Sequence, residues 1–320
     1  MRIIRSLAIA ALIASPSLAS AASFSTYYVF GDSLVDAGNV RIATGGAVPN
    51  PALGYFNGRF TNGYDYTDLL SIAAFGAPTV ASLAGGNNFA WGGARVVANA
   101  SDAIPDLGLQ LGAYAARSFG VGDASALYVL NFGGNDVFAL SRGDTGALSP
   151  SDYATAVAAQ YAGGVQYLNS IGARNILITG IPNLNPAGFA LEAQLQASLD
   201  ALTLAPGTNL YRFSFLNFFN TAATNPAALG LPPLRTDTTC LRARTPAPDI
   251  DCTGFFFFDD VHPTAAVQAA TAREINRQFS IVPRPVPEPM TWMMMIIGFA
   301  VVGTATRDKR RQMQLVLHNA

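Results

Sequence analysis

Short, uninterrupted apolar runs recur along this chain, each halted by glycine, asparagine or proline and each followed by a stretch with helical spacing. Tyr27–Phe30, Ala126–Phe132 and Asn175–Thr179 read YYVF, ALYVLNF and NILIT. Runs this short, apolar at consecutive positions, suit strands that are covered on both faces. Such strands belong to parallel sheets, whose crossover connections lay helices on either side. Two further segments fit the same plan: Gly85–Arg95, a very short strand leading into a glycine-rich turn, and Leu210–Phe215. The intervening segments switch to helical period. Asp65–Phe75 carries Tyr66, Leu69, Leu70 and Ala73 on one face, and Ala187–Leu202 reads as another helix. Ser149, Pro150 and Asp152 form a helix start ahead of Val157, Tyr161, Leu168 and Ile171. A last helix is expected after His262, with Pro263 as its first residue and Val267, Ile275 and Phe279 facing inward. No period of 20 to 50 residues recurs, so a repeat array is excluded.

The two ends have a different character. Residues 1–21 begin with Arg2 and Arg5, continue through an apolar stretch from Leu7 to Ala14, and finish with Ala19, Ser20 and Ala21. That order is the order of a secretory signal peptide. Residues 290–311 comprise an uncharged segment, Met290–Thr306, and a cluster of Arg307, Lys309, Arg310 and Arg311. A helix of that length spans roughly 25 Å at about 1.5 Å per residue, the lower limit for crossing a bilayer. The basic cluster would hold its own side in the cytoplasm. Residues 283–289 form a proline-rich linker, and 312–320 a short tail. What remains, residues 22–282, is the length of one α/β domain.

Charged residues make up 12% of the chain and the net charge is -1, so no basic face for nucleic acid is expected. The body holds two cysteines, Cys240 and Cys252. Export favours a disulfide between them, and closing a loop of that size contributes about 3 kcal/mol in the chain-entropy model. Neither has the neighbours of a metal site, and no cofactor motif is present.

The chemistry centres on FGDSLVDAGN, Phe30–Asn39, which follows the first apolar run. A serine at a strand's carboxyl end lies where open α/β sheets bind ligands, making Ser33 a candidate nucleophile. A serine nucleophile needs a base. His262 is the only histidine in the body, since His318 lies beyond the basic cluster. Asp259 and Asp260 precede His262, and Asp259 is preferred because a separation of three lets both side chains converge on one side of a turn. Oxyanion donors would come from the Ser33 amide, a glycine turn at Gly92 and Gly93, and the side chain of Asn135. No G-x-S-x-G elbow occurs, which argues against the α/β-hydrolase arrangement.

Four segments, FGDSLVDAGN, NNFAWGGAR, FGGNDVF and FDDVHPT, resemble in order the signature blocks of the GDSL, or SGNH, hydrolases. YFNGRFTNG, Tyr55–Gly63, is similar to the branch holding plant GDSL lipases, bacterial secreted esterases and haemolysin-like phospholipases. The resemblance implies a three-layer α/β/α sandwich with a five-stranded parallel sheet in the flavodoxin-like order 2-1-3-4-5. It implies Ser33, Asp259 and His262 as the catalytic triad, and Ser33, Gly93 and Asn135 as the oxyanion hole. Gly93 is favoured over Gly92 by the pattern Asn88-x-Ala90-x-x-Gly. Phe258 stands where the family often has tryptophan, a change connected with the acyl pocket. The Gly45–Gly63 excursion and the Ala222–Phe258 region are expected to shape that pocket.

The stretch VPEPMTWMMMIIGFAVVG with its basic cluster resembles the PEP-CTERM sorting signal of exported Gram-negative proteins. That likeness implies a temporary inner-membrane anchor, an exosortase-type processing enzyme and delivery to the cell surface or beyond. The tail 312–320 departs from it, and a permanent anchor stays open. The expected activity is hydrolysis of an ester: of a lipid, a small acyl ester or an acetylated glycan. The competing readings are a polysaccharide O-deacetylase of the same fold and a catalytically silent surface or matrix protein.

Overall fold

Residues 24–244 and 250–282 are described in the computed structural model, together with a separate unit at 294–300, 302–304 and 306–307. The signal-like stretch 1–21 and the linker 283–289 lie outside the described residues. So does most of the tail side of the 290–311 segment. Its described part is helical, and among the described residues no helix is long and apolar enough to cross a membrane.

In chain order the main body runs β1 (Tyr27–Gly31), α1 (Asn39–Ala43), α2 (Tyr66–Phe75), α3 (Leu107–Ser118), β2 (Leu127–Asn131), α4 (Gly134–Arg142), α5 (Pro150–Ser170), β3 (Asn175–Ile178), α6 (Pro186–Asp200), β4 (Asn209–Arg212), α7 (Phe215–Thr224), α8 (Cys240–Ala243) and α9 (Ala265–Phe279). The strands pair in parallel in the order β1-β2-β3-β4, with Val29 opposite Val129 and Val129 opposite Leu177.

The sheet therefore has four full strands where five are expected. The missing one is not displaced. Asn88 makes a parallel bridge to Val29 on the free edge of β1, and Phe89 N–H donates to the Val29 carbonyl at 2.7 Å. Counting that segment restores the order 2-1-3-4-5, but two glycines close behind it stop it from lengthening into a strand. The side chain of Asn39 pins it instead, donating from Nδ2 to the carbonyls of Asn88 and Ala90 at 2.9 Å each.

Consecutive strand residues face opposite cores. Phe30, Tyr128, Leu130, Ile176 and Ile178 pack with Leu111 and Tyr114 of α3, Tyr161 and Val165 of α5, and Leu191 and Leu195 of α6. Tyr27, Val29, Leu127, Val129 and Leu177 pack with Tyr66 and Leu70 of α2, Phe215 and Phe219 of α7, and Val267 and Ile275 of α9. Every residue of β2 is buried, as a strand covered on both faces must be. Helix starts follow local chemistry. Asp65 accepts from the amides of Thr67 and Asp68 in a capping box, and Ser149 accepts from Asp152 N with Pro150 in the first position.

Two boundaries differ from expectation. The segment Leu210–Phe215 stops as strand at Arg212, because Ser214 caps α7 by accepting from Asn217 N. Pro263 is not the first residue of the last helix: α9 begins at Ala265, since Pro263 is held in an antiparallel bridge with Phe257 and Thr61 donates to its carbonyl at 2.7 Å.

Candidate active site

The site is built at the carboxyl ends of β1 and β2. After Gly31 the chain turns sharply, with Val35 N–H donating to the Asp32 carbonyl and Leu34 N–H to Asp32 Oδ1. This turn presents Ser33, half-buried, away from the sheet. After β2, Gly133 takes φ of 102°, a left-handed conformation that lets the chain enter α4 within one residue. Asn135 is thereby fixed in the first turn of α4, its Nδ2 donating to the Ala94 carbonyl at 2.9 Å.

Asp259 and His262 arrive from the far end of the body. His262 Nε2 lies 2.7 Å from Ser33 Oγ, and His262 Nδ1 lies 2.8 Å from Asp259 Oδ2. Asp259 Oδ1 also accepts from the backbone amides of Val261 and His262 at 2.9 and 2.7 Å. These bonds close the turn on which the separation of three depends. Asp260 points elsewhere: it receives Arg242 Nε and Nη2, each at 2.7 Å, and so cannot serve His262. Both side chains of the Asp259–His262 pair are largely shielded. Burial pushes the Asp259 carboxyl up, but the hydrogen bond and charge of His262, with Tyr55, outweigh it and leave it lowered to about 2.

Tyr55 is not among the site residues expected from the sequence. Its hydroxyl donates to Asp259 Oδ2 at 2.7 Å. Phe60 lies against the His262 ring with centroids 5.3 Å apart. The Gly45–Gly63 excursion therefore braces Asp259 and His262 and supplies no wall of the cavity, contrary to expectation. It is fastened by a buried ion pair, Arg59 forking onto both oxygens of Asp68 at 2.9 Å.

The two glycines of the turn differ in their amides. Gly92 N–H donates to Asp36 Oδ2 at 2.9 Å, whereas the Gly93 amide has no acceptor among the described residues. Trp91 N–H donates to the Gly31 carbonyl at 3.0 Å, which holds this turn beside the Ser33 turn. The remaining motif carboxylates organise loops: Asp36 accepts four backbone amides, and Asp136 accepts those of Val96 and Val97 and the hydroxyl of Tyr153.

A cavity of about 310 Å³ opens beside Ser33 and Asn135. Leu34, Phe138, Pro182, Leu184, Phe219, Phe256, Phe257 and Val261 make its walls mostly apolar. The Ala222–Phe258 region contributes Ala223, Thr236, Phe256 and Phe257. Phe258 does not line it. That ring is fully buried, edge-on to Tyr55 at 5.0 Å and packed with Cys240 and Cys252. The two cysteines are joined in a disulfide. Among the described residues no cluster of His, Cys, Asp or Glu could hold a metal ion.

Arranged so, the site can transfer a proton from serine to histidine and hold an apolar group beside the serine. The family profile described as GDSL-like lipase/acylhydrolase matches residues 27–275. A stretch of 176 residues is 30% identical to Lipase 1 of Photorhabdus luminescens, covering 52% of this chain and 24% of that protein. The chain thus spans about a quarter of that relative's length.

Proposed function

Since the chain belongs to the GDSL-like lipase/acylhydrolase family, we propose that it hydrolyses carboxylic esters through an acyl-serine intermediate on Ser33. The observation that carries this reading is the continuous relay from Ser33 Oγ through the His262 ring to Asp259, at 2.7 and 2.8 Å. His262 Nε2 takes the hydroxyl proton as Ser33 Oγ attacks the acyl carbon. Asp259 fixes the tautomer that leaves Nε2 free to accept, and stabilises the imidazolium that forms. The amides of Ser33 and Gly93 and the second N–H of the Asn135 side chain meet the oxyanion. His262 returns its proton to the leaving alcohol, and the same groups then activate a water that releases the acid.

The apolar cavity supports an acyl chain longer than acetyl, which favours a lipid or aliphatic ester over an acetylated glycan. A fluorophosphonate should label the body at Ser33, and Ser33→Ala should abolish turnover of short p-nitrophenyl esters with little change in thermal unfolding. Undiminished turnover by that variant would reject the assignment, and failure to label would favour the silent scaffold. A p-nitrophenyl series from acetate to decanoate ranks the chain lengths.

The signal-like residues 1–21 and the PEP-CTERM-like stretch support export, with transient anchoring and release by an exosortase-type enzyme. Fractionation of expressing cells, with mass spectrometry of the mature ends, tests this: cytoplasmic full-length protein would remove it.

A further inference from the structure

Asp32, next to the nucleophile, has one carboxylate oxygen that nothing in the proposed mechanism uses. The residue is 2% exposed and lines the same cavity as Ser33. Its Oδ1 is fully engaged, accepting from Leu34 N–H at 3.0 Å and from Asn131 Nδ2 at 3.2 Å. Asn131 is in turn locked, its Oδ1 accepting from the hydroxyls of Tyr66 and Thr179 at 3.1 and 3.2 Å. The carboxyl group therefore cannot swing away. Oδ2 has no hydrogen-bond partner among the described residues, and it is not sealed off as a fully buried atom would be.

The space before Oδ2 is kept clear by a missing side chain. Gly134 also lines the cavity, and a Cβ there would sit 3.7 Å from Asp32 Oδ2 and 3.3 Å from Pro182 Cγ. An unpaired carboxylate oxygen in a mostly apolar cavity is costly unless a bound molecule donates to it. Burial, with the nearby charge of Asp136, pushes this carboxyl up to about 7, as expected of a group short of donors.

We infer that Asp32 is a specificity-determining residue, its Oδ2 accepting a hydrogen bond from a hydroxyl that the substrate carries close to the scissile ester. This rests on the ester-hydrolase reading and narrows it to hydroxyl-bearing esters. The hydroxyl has two sources. On the acyl side it would be a hydroxyacyl chain, and on the alcohol side a polyol such as glycerol. A site that hydrogen-bonds a substrate hydroxyl discriminates strongly against the analogue lacking it, because its own polar group is then left unpaired.

The test compares kcat/KM for p-nitrophenyl 3-hydroxybutyrate against p-nitrophenyl butyrate, and for glycerol monobutyrate against propyl butyrate. Assayed at about pH 8, above the value of about 7 to which burial raises this carboxyl, the parent protein should prefer the hydroxylated member of at least one pair by about tenfold or more, the worth of a hydrogen bond to a charged group. The pair that shows it identifies the source. Asp32→Asn should bring that ratio close to one. Gly134→Ala, which keeps the carboxyl but fills the space before it, should lower the ratio too and decides the matter if Asp32→Asn does not fold. Equal rates within both pairs for the parent protein, or a preference that survives in every folded variant, would overturn the inference. Turnover of plain butyrate and its loss in Ser33→Ala report separately on the hydrolase reading.

Discussion

Tyr55 and Asp259, 204 positions apart in the chain, meet at 2.7 Å, the phenol hydroxyl donating to the carboxylate oxygen that also faces His262. The contact ties a glycine- and proline-rich excursion to the orientation of His262, the proposed base.

Tyr55→Phe keeps the ring, its packing on Phe258 and the cavity, and removes only the donor. A hydrogen bond to a charged group is worth about 1.5–3 kcal/mol, so kcat should fall about tenfold or more. KM should hardly move, because Tyr55 lines no wall of the cavity. Steady-state kinetics on a p-nitrophenyl ester decide it; an unchanged kcat would show that His262 needs no such support.

Asn135→Ala should lower kcat by about 10²–10³, the cost of one oxyanion donor. The loss of its bond to Ala94 leaves the rest of α4 in place, so far-ultraviolet circular dichroism should be unaltered. A drop confined to KM would remove Asn135 from the transition state.

Stability should decline from pH 4 to pH 7. Below the ordinary aspartate value of 3.8, Asp32 is protonated in folded and unfolded chains alike. As pH rises, the unfolded chain releases that proton first, while the folded one holds it to about 7, so unfolding gains progressively. At full extent the loss is about 4 kcal/mol, and Asp36 and Asp136, pushed up by burial to about 6, add to the same slope. Asp259 works oppositely at lower pH: held at about 2, it contributes stability that disappears as pH falls from about 4 to 2. Urea unfolding across pH 3–8 should peak near pH 4–5, with a shallower alkaline slope in Asp32→Asn. A profile rising steadily to pH 7 contradicts this.

The disulfide should matter for turnover as well as stability. Cys240 N–H and Leu241 N–H, at the start of α8, donate to the carbonyls of Phe257 and Phe258 at 3.0 and 2.9 Å, next to Asp259. Replacing both cysteines by serine should cost about 3 kcal/mol in denaturant unfolding and reduce kcat several-fold below the denaturation midpoint. Equal kcat with lower stability would confine the bridge to a structural part.

Much of this arrangement was legible in sequence, for identifiable reasons. One histidine in the body left no other candidate to stand beside Ser33, and the spacing of Asp259 and His262 predicted a turn that the backbone amides indeed close. The buried strands announced themselves because a parallel sheet requires apolar residues at consecutive positions. Tyr55 was illegible because an excursion without period gives no sign of which side chain returns to the site. The freedom of Asp32 Oδ2 was equally hidden, since it depends on what Asn131, Tyr66 and Thr179 do across three different elements. Phe258 misled for a related reason: adjacency to a catalytic residue in sequence does not decide on which side of it a ring will pack.

Asp259 and His262 sit on the last loop before α9, whereas Ser33 follows the first strand. A ribosome making this chain therefore exposes Ser33 long before it has made His262, and a partly synthesised molecule carries an inert alcohol. The relay proposed to carry hydrolysis closes only when the carboxyl-terminal portion of the body has emerged and docked, so under that proposal the order of translation itself withholds activity until the fold is finished.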